Sequence, residues 1–148
     1  AEYEKIARQI EKRLSKSPSP VIFNSGELAD SLALEHLTGA ARWFIPWFAQ
    51  KANGFLFMLT KSANVAEILN LPHNRHTLIA WTLNNEKVSR KFEIGAPAFA
   101  DRLKAAVVCP MPLKCVEQTY RSVYSVSQRH APICLNAIPH LSETINPY

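Results

Sequence analysis

Apolar residues along the chain follow two periods, one helical and one continuous. Tyr3, Ile6, Ala7, Ile10 and Leu14 recur at helical spacing over residues 2–15, and Glu4, Lys5, Arg8, Glu11, Lys12 and Arg13 take the other face. Ser17-Pro18-Ser19-Pro20 stops this helix, because each proline restricts the residue before it. Val21 to Asn24 then reads as a short buried strand. Phe55 to Thr60 is a continuous apolar run, the pattern of a strand buried on both faces of a parallel sheet. Thr77 to Leu83 is a third run of the same kind, ended by Asn84-Asn85.

Helical spacing returns between the strands. Leu34, Leu37, Ala41, Phe44, Ile45 and Phe48 predict one helix that starts at Asp30 or Ser31, either of which can cap it. Pro46 should kink or end it late, and Asn53-Gly54 marks a turn. Asn64 with Glu67 resembles a capping box and predicts a short helix through Leu69, stopped before Pro72. His73 to His76 is a polar turn. Glu86 to Phe92 predicts another short helix, which Gly95 can close in the left-handed conformation. Pro97 fits the first turn of a last helix, Pro97 to Ala106, with Phe99, Leu103 and Ala106 as its apolar face.

A helix followed by three strand–helix units predicts an α/β fold with a parallel sheet and right-handed crossovers. The character changes after Ala106, so residues 1–106 are read as one unit and 107–148 as a divergent tail. The last 42 residues hold five of the ten prolines and only two acidic residues, Glu117 and Glu143. Pro110 and Pro112 demote Val107-Val108 as a strand. Cys115 to Arg129 can be drawn as a helix, and residues 131–148 read as irregular.

Composition narrows the class. An apolar share of 47% in 148 residues excludes a disordered chain and fits about one domain. The sequence holds no run of about 18 apolar residues that could span a membrane. Its first residues lack the apolar core of a secretory signal. Three cysteines, Cys109, Cys115 and Cys134, argue against a disulfide scaffold and place the expected setting in a reducing cytoplasm. The net charge of +5 suits an anionic partner such as DNA, and equally an ordinary solvated surface.

Candidate chemistry sits where the strands end. In a parallel sheet all carboxyl ends share one rim, where such folds bind ligands. Here the rim would carry Ser25, Gly26 and Glu27 after the first strand, Lys61 with Ser62 after the second, and Thr82 with Asn84 after the third. A carboxylate, an ammonium and neutral hydroxyl or amide groups suit a zwitterionic ligand with hydroxyls. The plainer alternative is that Glu27 and Lys61 pair or are solvated. The histidines show no metal-ligand spacing, and Cys109 and Cys115 match neither zinc nor cluster spacing. Phosphate-loop, dinucleotide and serine-elbow motifs are absent from the sequence.

Four stretches carry a family resemblance: GELADSLALEHLTG at 26–39, LTKSANVAEILNLPHN at 59–74, AWTLNNEKV at 80–88 and FEIGAPAFADRLKAA at 92–106. In order and separation they resemble the spore photoproduct lyase family of radical S-adenosylmethionine (SAM) enzymes, over about three fifths of the chain. The resemblance implies a partial (β/α)6 barrel of parallel strands, with a C-terminal part that is irregular or helical. It implies SAM as cofactor, held by Ser25, Gly26, Glu27, Lys61, Thr82 and Asn84. Gly26-Glu27 stands at the family's glycine–glutamate motif for the SAM amino group, and Lys61 at the position of a SAM-contacting lysine. The family's four-iron cluster is bound by a Cys-x3-Cys-x2-Cys loop after the first strand. That spacing does not occur in these residues, and the chain departs from the family pattern after Ala106. The expected function is therefore that of a fragment of a radical SAM lyase that repairs DNA, inactive alone, with DNA as the candidate partner. The alternatives are a non-catalytic α/β module for nucleic acid or assembly, and a degenerate product. Neither substrate lesion nor oligomeric state follows from the sequence.

Overall fold

A computed structural model describes residues 2–25, 29–111 and 113–116, the last four by their backbone. Gly26 and Glu27, Pro112, and the stretch from Glu117 onward lie outside the described residues. Helix α1 spans Glu2–Leu14, with acidic residues in its first turn and basic ones in its last, as the helix dipole favours. Strand β1 is Val21–Asn24, β2 is Gly54–Thr60 and β3 is Thr77–Thr82. A fourth strand, β4, is Leu113–Val116. All neighbours pair in parallel, in the order β1-β2-β3-β4. The sheet therefore continues past Ala106. Cys115 pairs with Trp81 in β4 rather than starting a helix, and the rest of the helix drawn to Arg129 lies outside the described residues.

One face of the sheet carries the core. Leu56, Met58, Ile79 and Trp81 are buried there against Ile45 and Phe48, with Ala105 and Ala106 in the same cluster. Full burial of such side chains contributes about 1.5–3 kcal/mol each. Tyr3 anchors α1 to this layer by ring contacts with Trp43 and Phe44, and its hydroxyl donates to the Thr38 carbonyl at 2.7 Å. The opposite face is less covered. In β2, Phe55, Phe57 and Leu59 alternate as half-buried residues with the buried set, so the strand is not buried on both faces. Parallel register places Ile22 beside Phe55, and Phe57 beside Leu78, on this second face.

The helix expected from residue 30 to Phe48 is broken. Residues 31–34 are turns, α2 is Glu35–Thr38, and α3 is Ala40–Phe48. Gly39, at φ 63°, both closes α2 and starts α3. A left-handed residue interrupts the helix without disturbing the apolar spacing that predicted it. Leu34 and Leu37 pay for the break in position, standing 58% and 73% exposed. Glu35 supplies the missing cap. Its buried carboxylate accepts from the Ala41 and Arg42 amides at 2.7 and 3.0 Å. Pro46 lies inside α3, two residues from its end.

The helix expected over 64–69 does not form: residues 64 and 65 are irregular and 66–70 are turns. Isolated bonds from Ile68 N to Val65 O and from Leu71 N to Ile68 O replace a helical ladder. The Ser62 hydroxyl takes the Asn64 amide at 3.0 Å, a local bond that competes with helix, and Pro72 follows too soon for recovery. Helix α4 is Glu86–Phe92, capped by the Asn85 side chain accepting from Lys87 N. Gly95 follows it at φ 85°. Helix α5 is Phe99–Val108, so Pro97 precedes it rather than forming its first turn. Its buried residues are Arg102, Ala105 and Ala106, while Leu103 is exposed. The inward face is thus turned from the apolar stripe, because an arginine occupies it.

Candidate functional site

Three strand ends meet on one rim. β1 delivers Ser25, β2 delivers Lys61, and β3 delivers Thr82 and, two residues on, Asn84. Two networks, each built on a carboxylate, hold these groups in place.

The first is built on Asp30. Its Oδ1 accepts from the Leu32 and Ala33 amides, both at 2.9 Å, which caps the turn after β1. The same atom takes the Thr60 hydroxyl at 2.6 Å, and Oδ2 takes the Lys61 amide at 2.6 Å. One side chain therefore ties the loop after β1 to the end of β2. Ser25 lies beside this knot, its Oγ 3.0 Å from Ser31 Oγ and 3.3 Å from the Phe57 carbonyl it donates to.

The second network is built on Glu93 and Arg102. Arg102 is fully buried on α5. Its Nη1 donates to the Thr82 carbonyl at 2.9 Å, and its Nη2 to Glu93 Oε2 at 2.6 Å and to the Ser89 hydroxyl. The Glu93 side chain is 8% exposed. Its other oxygen, Oε1, accepts from Asn84 Nδ2 at 2.7 Å and lies 3.8 Å from Lys61 Nζ. Burial pushes the Glu93 carboxyl up, but hydrogen bonds from Arg102, Ser89 and Asn84, with the Arg102 charge, outweigh it and hold it below its ordinary value.

The structure thus joins Lys61, Thr82 and Asn84 through Glu93 and Arg102, and sets Ser25 in the neighbouring knot. Lys61 meets Glu93 rather than standing solvated. Gly26 and Glu27 lie outside the described residues. Glu93 and Arg102 were not singled out by sequence, although both fall in the stretch at 92–106. Their signal is a carboxylate and an arginine nine residues apart across a glycine turn.

Other polar groups are engaged in structure. His73 Nδ1 accepts from the Arg75 amide, and His76 lies 2.8 Å from the Gly54 carbonyl and stacks on Phe55. Cys109 is buried, and burial pushes its thiol up. No cluster of three or more metal-binding side chains occurs among the described residues, and no described helix is long and apolar enough to cross a membrane. A cavity of about 230 Å³ lies beside the rim, between β2 and α2–α3, lined by Ser25, Asp30, Ser31, Phe44, Leu56 and Met58. Lys61, Thr82 and Asn84 do not line it.

Known proteins share this fold. A family model described as Spore photoproduct lyase matches residues 2–118. The spore photoproduct lyase of Clostridium acetobutylicum is 28% identical over 102 residues, which is 69% of this chain and 30% of that protein. That of Bacillus subtilis is 30% identical over 105 residues, 70% of this chain and 31% of the relative. The chain therefore spans about a third of the length of these curated relatives. A solved spore photoproduct lyase mutant with bound AdoMet and dinucleoside spore photoproduct superposes with a TM-score of 0.74 at 26% identity, over 78% of this chain and 35% of the other. With most of its length matched by the family model, and with parallel strands laid out as in these solved structures, the chain belongs to the spore photoproduct lyase family.

Proposed function

We propose that the chain is the SAM-binding part of a radical SAM lyase acting on a DNA lesion, and that it works in the cytoplasm. The observation that carries this reading is the rim itself: Ser25, Lys61, Thr82 and Asn84 stand at the carboxyl ends of three adjacent parallel strands. The donor set fits SAM. Lys61 offers a cation for the carboxylate, Ser25 and Thr82 offer hydroxyls, and Asn84 an amide. Glu27, by its place in the family motif, would take the amino group. Relatives with dinucleoside spore photoproduct or AdoMet bound support the choice of lesion and cofactor. The half-covered sheet face, with Phe55, Phe57 and Leu59, is the surface on which a base could be enclosed.

In enzymes of this kind SAM supplies a radical that abstracts hydrogen from substrate. The protein's share is to bind and orient. Lys61 fixes the charged end of the ligand, and the hydroxyls of the rim hold its neutral part. A four-iron cluster does not fit the cysteines present. Cys109 is buried behind the sheet, and the family's three-cysteine spacing is absent from these residues. The chain is therefore proposed to be inactive alone.

Titration calorimetry with SAM tests the reading. Lys61→Ala should weaken binding about tenfold or more, about 1.4 kcal/mol. Equal affinity of the variant and the unmodified chain would remove Lys61 from the site.

A further inference from the structure

Asn84 can face its surroundings in two ways, with its amide nitrogen or with its carbonyl oxygen. The chemistry of Glu93 decides between them. A carboxylate only accepts hydrogen bonds, so the group 2.7 Å from Oε1 must be the Asn84 nitrogen. Its carbonyl oxygen is then the branch turned away from Glu93. Glu93 is itself held. Arg102, wholly buried, grips its other oxygen at 2.6 Å and takes the Thr82 carbonyl with a second nitrogen. The same Glu93 oxygen that holds Asn84 lies 3.8 Å from the Lys61 ammonium.

We infer that Glu93 is a positioning residue for the rim: it orients Asn84 as a hydrogen-bond acceptor toward the ligand and holds Lys61 beside it as a donor. The inference rests on the SAM reading above and deepens it. The two groups then select by polarity. Asn84 takes a hydroxyl or ammonium donor of the ligand, and Lys61 takes an anionic acceptor next to it. A ligand with two acceptors there would leave the Asn84 oxygen unsatisfied. Arg102 acts one step behind, by fixing both Glu93 and the end of β3.

Exchanging the two functional groups tests this directly. In Glu93→Gln the new amide can donate, so Asn84 is free to turn over and present its nitrogen. Adding Asn84→Asp restores an acceptor at the rim, with the Gln amide as its donor. Calorimetry with SAM on the 148-residue chain should show at least tenfold weaker binding for Glu93→Gln. The E93Q/N84D pair should return to within about threefold of the unmodified chain, a rescue that a purely structural role would not give. Thermal unfolding of each variant identifies any that fails to fold.

Nuclear magnetic resonance of the unmodified chain gives a readout that needs no ligand. The Asn84 side-chain amide protons should be protected from exchange and should lose that protection in Glu93→Gln. Unprotected Asn84 protons in the unmodified chain overturn the inference, whatever binds. Full SAM affinity in Glu93→Gln together with lost affinity in Lys61→Ala overturns it too, while leaving the SAM site standing. If the unmodified chain does not bind SAM, the SAM reading falls, and Asn84 protection alone decides the orientation.

Discussion

Two well-covered carboxylates among the described residues, Glu35 and Glu93, are employed differently. Glu35 is 1% exposed and ends mainly on backbone, accepting two amides at the start of α3, with the half-exposed Arg42 side chain 3.6 Å from one of its oxygens. Glu93 ends on side chains: Arg102 behind it, and Asn84 and Lys61 in front. Amides of a helix start have nowhere else to go, so what Glu35 chiefly fixes is the chain path. Side chains keep alternative positions, so Glu93 chooses among them. A carboxylate spent on backbone builds the fold, whereas one spent on side chains can shape a site.

Four changes would break or sharpen this contrast. The largest effect is expected for Arg102→Met, which leaves the Glu93 carboxylate buried with its main counter-ion gone. Loss of one partner from a buried pair costs about 3–5 kcal/mol, and urea unfolding would show it. An unchanged midpoint would mean that Lys61 or solvent can replace the guanidinium.

Glu35→Ala should cost less, about 1–3 kcal/mol, because two helix-start amides lose their acceptor but no charge is left buried. The same denaturation measurement checks it, and SAM affinity in the variant should hold. A fall in affinity beyond the loss of stability would erase the distinction between the two carboxylates.

Acid should act on the Glu93 side in particular. Its folded carboxyl is held below the ordinary value of 4.5. The stability it contributes is complete above that value and is lost as pH falls through the lower, folded one. Unfolding free energy followed from pH 6 toward pH 2 should therefore decline less steeply in Glu93→Gln, by about one proton's share. Identical slopes would show that Glu93 does not carry the acid sensitivity.

The smallest change is Gly39→Ala, at the hinge that separates α2 from the helix Glu35 caps. At φ 63° an alanine is strained, and its Cβ would lie 3.2 Å from Arg42 Nη2. About 1 kcal/mol of destabilisation is expected from thermal unfolding. A stabilised variant would mean that α2 and α3 can merge into one helix.

Elements made by apolar spacing could be read from the sequence. Val21–Asn24, Thr77–Thr82 and Glu86–Phe92 stand where the runs predict them. Features set by a single backbone angle or a single polar contact could not. Gly39 lies in a stretch whose periodicity continues across it, and the hydroxyls of Thr60 and Ser62 draw the next turn away from helix. At the rim, Lys61, Thr82 and Asn84 were legible because strand ends can be located. Glu93 and Arg102 were not, since a charged residue just past a helix end or within a helix reads as solvated until the fold buries it. The sequence holds both halves of the pair, but only the closing of α5 against β3 makes them one.

The Asp30 knot has a consequence for motion. Its carboxylate holds the turn that follows Gly26 and Glu27 and, at the same time, the peptide nitrogen of Lys61. The turn at residues 30–33 and the end of β2 cannot fluctuate independently while those bonds last. Hydrogen exchange at the Lys61 amide should therefore act as a remote gauge of the turn at residues 30–33, slowing when that turn is steadied and quickening when its bonds to Asp30 break.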